Sequence, residues 1–326
     1  MTKTSKYSVS VLSIIIAIAC IGLYFLHSSK PDLSSYASEQ SSIFVGDRER
    51  TYIVVLPEKL KPNPGVVFVF HPSQSNAQDM RRMVGSVLEP LAQDSNSILV
   101  YPDGFEEHFN DCRRVASYSA RELNIDDVSF TESILQNLTV KHSVNSEKVF
   151  ALGYSNGGHM ALRLGLERPD LVRGVALIAA NFPSAENMAC VISDNPVSQV
   201  VFIEGTKDPI NPYDGGKVTL FGFGDRGQVL SATESAHWFV DKFSLAKKDS
   251  KRLFDPEGLS ATQIDWVSDK GWVRLVRVQD GGHTIPTSEY VFPRLFGSTF
   301  RSNEILTDVW TLFFNESLLS KKHHYE

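Results

Sequence analysis

The sequence predicts an α/β fold, a mostly parallel central sheet with helices on both faces. Three observations lead there: short β-branched runs alternate with longer stretches of helical period, glycine-rich turns follow several runs, and no internal repeat breaks the alternation. In order, the runs read as strands are Thr51 to Leu56, Val66 to Phe70, Ile98 to Tyr101, Val149 to Leu152, Val175 to Ile178, Val200 to Ile203 and Trp272 to Val278. Asp79 to Ala92, Val128 to Val140, His159 to Leu166, Ser231 to Phe243 and Glu304 to Phe314 carry the helical period. The 326 residues are 42% hydrophobic and 21% charged, within the ordinary globular range. Thirty-two Lys and Arg against 38 Asp and Glu leave a formal net charge of -6. Because the basic residues are scattered, nucleic acid is not an expected partner.

Residues 1–30 differ in kind. Lys3 and Lys6 precede Val9 to Leu26, which contains no charged residue and is long enough to cross a hydrocarbon core as one helix. Its length exceeds the usual apolar core of a cleaved signal, which favours an anchor over a signal peptide; a lipoprotein signal ending at Cys20 fits least, because Ile21 to Leu26 continue the apolar run. Either way the protein is expected to be exported, with the membrane a partner only if the segment is retained. Residues 31–42 read as a flexible linker, 43–318 as one globular domain and 319–326 as a polar tail. Outside Cys20, Cys112 and Cys190 are free either to pair in an oxidising compartment or to stay buried as thiols.

The strongest local signal is Gly153-Tyr154-Ser155-Asn156-Gly157, placed between a predicted strand and a predicted helix. A serine nucleophile needs this setting: a strained turn exposes its hydroxyl, flanking side chains would collide with neighbouring backbone, and the following helix aims N–H groups at a developing oxyanion. The bare five-residue pattern recurs by chance, and the strand-turn-helix context gives it weight. In such a sheet the acid and then the histidine follow the serine in the chain. Asp208 lies just past Val200 to Ile203 and is the candidate acid, with Glu204 and Asp214 as competitors. His283, in Gly281-Gly282-His283-Thr284 after Trp272 to Val278, is the candidate base among nine histidines. His159 sits on the helix after the serine and reads as packing, and His71 ends a strand where it would shape the oxyanion loop. The expected oxyanion donors are the N–H of Asn156 and, since Pro72 has none, that of Ser73 or Gln74.

Gly222-x-Gly-x-x-Gly227 spells a dinucleotide fingerprint but lacks the βαβ setting that gives it meaning, and reads as a loop near the cleft. No metal-ligand spacing is present, so a metal site has no support.

Taken together, Tyr101-Pro102-Asp103-Gly104, Asn110-Asp111-Cys112, Asp126-Asp127-Val128 with Phe130, Ser155-Asn156-Gly157-Gly158, Gly205-Thr206 with Asp208-Pro209, Pro212-Tyr213 and Gly281-Gly282-His283-Thr284 resemble the polyhydroxybutyrate depolymerase and feruloyl esterase-like group of α/β-hydrolases. The matches span about Val66 to Phe314. The resemblance implies an exported, cofactor-free esterase acting through an acyl-serine, with Ser155, Asp208 and His283 on the family's triad positions and a small-molecule or oligomeric ester as partner. It also puts Cys112 and Cys190 near positions where relatives often have cysteines. The chain departs from the family pattern at His71-Pro72, Phe109, Glu204 and Ile285. These positions are expected near the mouth of the site, with His71, Phe109 and Ile285 touching substrate. A serine peptidase on the same fold, and a membrane-tethered binding protein whose hydrolase core is inactive, are the competing readings; the retained triad residue types weigh against the second.

Overall fold

The computed structural model describes residues 22, 24–29 and 35–315. Most of the apolar run, Cys20 and the tail from 316 lie outside the described residues. Among the described residues no helix is long and apolar enough to cross a membrane.

Strands β1 (Ser38–Val45), β2 (Arg48–Val55), β3 (Gly65–Phe70), β4 (Ser97–Pro102), β5 (Val149–Tyr154), β6 (Gly174–Ile178), β7 (Gln199–Gly205), β10 (Ala246–Phe254), β11 (Ser260–Ser268) and β12 (Gly271–Val278) form one sheet in the order β1-β2-β4-β3-β5-β6-β7-β12-β11-β10. Strands β4, β3, β5, β6, β7 and β12 run parallel, and antiparallel partners extend the sheet at both sides. A small hairpin, β8 (Gly216–Lys217) and β9 (Gln228–Val229), stands apart from it.

Alternation along each strand divides the core in two. Val67 and Val69 face one apolar cluster with helices α1 (Ala77–Asp94) and α5 (Glu304–Phe314). Val66, Phe68 and Phe70 face the other, with α2 (Asp127–His142), α3 (Asn156–Glu167) and α4 (Ala232–Phe243). Helix starts follow their capping residues: Asn76 and Asp126 accept N–H groups of the first turns of α1 and α2, and Ser231 with Glu234 makes a reciprocal capping box at α4. The chain order reverses around β3, β4 and β5, so the loops after β3, β5, β7 and β12 gather at one carboxyl edge.

The predicted strands and helices all form, within a few residues of their predicted ends. Two differences matter. The linker expected over 31–42 is in part structured, since β1 starts at Ser38; ahead of it, Ser29 exchanges two backbone hydrogen bonds of 3.2 Å with Val291. Unpaired edge groups of β2 make that polar, Ser-rich stretch a strand despite its composition. Strands β10 and β11 were not expected at all.

Candidate active site

Ser155 stands at φ 55°, ψ -116°, between the last residue of β5 and the first of α3. For a non-glycine residue this backbone is strained and must be held by its surroundings. The Ser155 N–H donates to Ile178 O at 2.8 Å, and the turn closes so tightly that only glycine fits beside it. A Cβ on Gly153 would lie 2.0 Å from Gly157 O, and one on Gly157 would lie 2.3 Å from Phe70 O.

The structure brings Ser155, His283 and Asp208 together across the carboxyl edge. His283 Nε2 is 2.9 Å from Ser155 Oγ, and its Nδ1 is 2.7 Å from Asp208 Oδ2. With the Nδ1 proton on the carboxylate side, Nε2 is left to accept from the serine hydroxyl. Asp208 is steered by the N–H groups of Ile210 and Asn211, which donate to its other oxygen at 2.7 and 2.8 Å. His283 is fixed by its own backbone: its N–H donates to Phe296 O, and its carbonyl accepts from the Tyr154 hydroxyl at 2.6 Å.

Neither competing acid takes the place of Asp208. Asp214 is exposed. Glu204 is buried, accepts from Ala180 N–H at 2.9 Å and Asn211 Nδ2 at 3.2 Å, and has its pKa pushed well up by burial, with the nearby Asp208 charge adding to the effect. Through these hydrogen bonds it braces the loop that carries Asp208.

The oxyanion side is built from α3 and the loop after β3. Asn156 is the first residue of α3; its side chain is fully engaged, accepting from Phe109 N–H and donating to Phe109 O and Asp111 Oδ2. Of the two loop donors left open by the sequence, Gln74 gives its N–H to Glu107 O at 3.0 Å, which leaves Ser73, a residue lining the cavity. His71 holds that loop: Nδ1–H donates to Pro72 O at 2.7 Å and Nε2 accepts from Gly104 N–H at 2.8 Å. Burial lowers its pKa to about 4 and keeps it neutral.

The substrate contacts expected from the sequence are corrected. A cavity of about 270 Å³ opens over Ser155 and His283, and His71, Phe109 and Ile285 do not line it. All three are fully buried. Phe109 packs edge-on against Phe70 and against the His71 ring, and Ile285 belongs to the core beside α5. Large apolar side chains next to a loop are turned into the nearest apolar layer, whatever their distance from the site in sequence.

In their place the walls carry Arg113, His159, Arg226, Tyr290, Phe292 and Phe296. Sequence reasoning missed the first three as site residues. Arg113 adjoins Cys112 in a recognisable motif, His159 lies one helical turn past Ser155, and Arg226 falls inside the glycine-rich loop that was set aside. Cys112 and Cys190 form a disulfide, which decides between the two readings of those cysteines.

No family model matches the chain. It is 28% identical over 282 residues to the protein named "Putative esterase NocK" of Nocardia uniformis, covering 79% of this chain and 77% of that one. It is 30% identical over 179 residues to feruloyl esterase D of Neurospora crassa, covering 51% of this chain and 56% of the relative, so it spans about half that enzyme's length. An acetyl xylan esterase from Aspergillus awamori shares the fold with a TM-score of 0.51 at 15% identity, over 77% of this chain and 95% of that one. The sheet order, the serine in its strained turn and these likenesses define a hydrolase of the α/β-hydrolase fold. Within that class the chain is a carboxylic ester hydrolase, similar to the named esterase and the feruloyl esterases above.

Proposed function

We propose that Ser155 hydrolyses carboxylic esters through an acyl-serine intermediate, with His283 as base and Asp208 as the acid that orients it. His283 Nε2 takes the hydroxyl proton as Oγ attacks the ester carbonyl carbon, and the imidazolium is stabilised by Asp208. The N–H groups of Asn156 and Ser73 receive the oxyanion. Collapse expels the alcohol, which leaves with the proton from His283. Water then attacks the acyl carbon, His283 takes a proton from it, and the acid departs as Oγ regains its proton. The observation that carries this reading is the unbroken hydrogen-bonded chain from Ser155 Oγ through His283 to Asp208, opening on a cavity.

The Cys112–Cys190 disulfide supports export, because such bonds persist in oxidising compartments. Tyr24 stacks on Arg294 and Ser29 pairs with Val291, which supports a mature chain that keeps its N-terminal segment. The mass of the mature protein reads this directly.

The test compares initial rates of the detergent-solubilised full chain on a short-chain butyrate ester, methyl ferulate and a soluble 3-hydroxybutyrate oligomer, with Ser155→Ala alongside. The expected result is turnover of at least one ester and loss of at least about 10³-fold in kcat in the variant. Equal inactivity of wild type and variant on all three overturns the reading, and the preferred ester separates the feruloyl from the polyester branch.

A further inference from the structure

The cavity wall beside Ser155 carries more positive charge than the structure neutralises. Arg113 is already engaged. It forms a two-pronged ion pair with Asp111, Nη2 to Oδ2 at 2.5 Å and Nε to Oδ1 at 3.2 Å, and Asp111 also accepts from Tyr118 OH and Asn156 Nδ2. Arg226 is different. It is partly buried and lines the same wall, yet among the described residues its guanidinium has neither an acidic partner nor a hydrogen-bond acceptor. The adjacent acid, Asp225, is bound to Lys217 at 2.7 Å and to the Gly227 N–H at 2.8 Å. The acid that does line the cavity, Asp79, comes from α1 on the opposite face of the sheet and pairs with Arg82. Burial and the nearby Arg113 charge lower the pKa of Arg226, as expected for a cation held without its counter-ion.

His159 completes the wall. It follows Ser155 by one turn of α3, is 1% exposed, and its Nδ1 has no hydrogen-bond partner. Burial pushes its pKa well below the ordinary imidazole value, with the Arg113 charge adding to the shift, so the ring is neutral. A buried polar atom without a partner costs about 1–3 kcal/mol. Beside it, the partly buried Arg226 guanidinium faces the cavity without an acceptor, which points to a ligand as its missing partner.

The backbone that carries both cations is tied by one short segment. Asn187 donates from its side chain to Arg226 O at 2.9 Å and Gln228 O at 3.0 Å, and accepts from Val115 N–H at 3.1 Å. Its carbonyl accepts from Arg114 N–H at 2.7 Å, and the disulfide from Cys112 closes on Cys190 three residues along. A Cβ on Gly227 would lie 2.3 Å from the Asn187 side chain, so the loop packs against this segment through a glycine at φ 78°. The backbone beneath the positive wall is therefore held in place.

We propose that Arg226, with His159 beside it, is an anion subsite, and that the ester hydrolysed at Ser155 carries a carboxylate on its acyl or alcohol part. One free guanidinium matches a single negative charge in planar geometry, which favours a carboxylate over a dianionic phosphate. The proposal rests on the ester-hydrolase reading of Ser155 and names its substrate class.

The test pairs each charged ester with its neutral methyl ester: monomethyl against dimethyl adipate for the acyl side, and 4-acetoxybenzoate against its methyl ester for the alcohol side. The readout is the ratio of kcat/KM, charged over neutral, in the full-length protein and in Arg226→Ala and Arg226→Lys. Wild type is expected to favour the charged member of one pair by about 10-fold or more, the scale of a hydrogen bond to a charged group. Arg226→Ala should bring the ratio to about one through KM, and Arg226→Lys should restore part of it. A wild-type ratio at or below one in both pairs, or a ratio unmoved by Arg226→Ala, overturns the subsite. Calorimetric binding of monomethyl adipate and 4-acetoxybenzoate to Ser155→Ala separates the two levels. If neither pair is turned over yet binding depends on Arg226, the subsite stands and the esterase reading falls. If neutral esters are hydrolysed and binding does not depend on Arg226, the reverse holds. The Arg226 side chain makes no hydrogen bond within the described fold, so its truncation leaves the ties to Asn187 in place.

Discussion

His71 shows how one buried side chain sets a property of the whole chain. Its folded pKa of about 4 lies below the ordinary value near 6.5, so between those limits the unfolded chain takes up a proton that the folded chain refuses. Stability therefore rises with pH across this window and is lost as pH falls through it, by about 3 kcal/mol in all. Glu204 acts in the opposite sense: its raised pKa keeps a proton that the unfolded chain releases, so its contribution is present at low pH and fades as pH rises. Urea unfolding at pH 4.5 and pH 7 should show a smaller difference in His71→Gln than in wild type, which isolates the His71 part; identical differences would remove it. Gly157 is a second residue with a calculable role. Gly157→Ala would place a methyl 2.3 Å from Phe70 O, and neither backbone can yield without moving Ser155. The expected result is loss of at least about 10²-fold in kcat from ångström-scale misplacement of the nucleophile, with circular dichroism showing whether the fold survives. The glycines and Ser155 were legible as a local pattern. The unpartnered state of Arg226 was not, because it depends on which acids the fold turns away from it.

Among the elements, the predicted ones share a signature, and the missed ones lack it for a physical reason. Strands β3 through β7 are buried on both faces and read as continuous apolar runs. Strand β10 is exposed along most of its length and reads AKKDSKRLF; lysines and an arginine on an edge discourage pairing with a further chain. Strand β11 buries Gln263 and Asp265, which look like loop residues until Asp308 of α5 accepts from Gln263 at 2.9 Å and Arg274 of β12 donates to Asp265 at 2.7 Å. The segment joining Cys112 to Cys190 illustrates the same dependence. The disulfide closes a loop of 78 residues, for which the chain-entropy model gives about 4.5 kcal/mol as an upper value. Replacing both cysteines by alanine should lower the thermal midpoint and, because the same segment holds Arg113 and Arg226, reduce any preference for charged esters. An unchanged midpoint would show that the bond constrains little in the unfolded chain.

At the scale of the molecule, the chain order of the sheet brings together residues that lie far apart in sequence. Ser155 and His283 are 128 positions apart, and His283 and Asp208 are 75 apart. The sequence by itself determined the α/β class, the parallel strands, the serine in its turn and the order of acid and histidine, because each is written in local periodicity, glycine placement or chain order. Only the tertiary structure decided that His71, Phe109 and Ile285 sit in the interior, that Ser73 rather than Gln74 keeps a free N–H, that the two cysteines meet, and that Arg226 and His159 share a wall. Those outcomes depend on burial and on which partner reaches which group first, and such relations exist between elements rather than within any one of them.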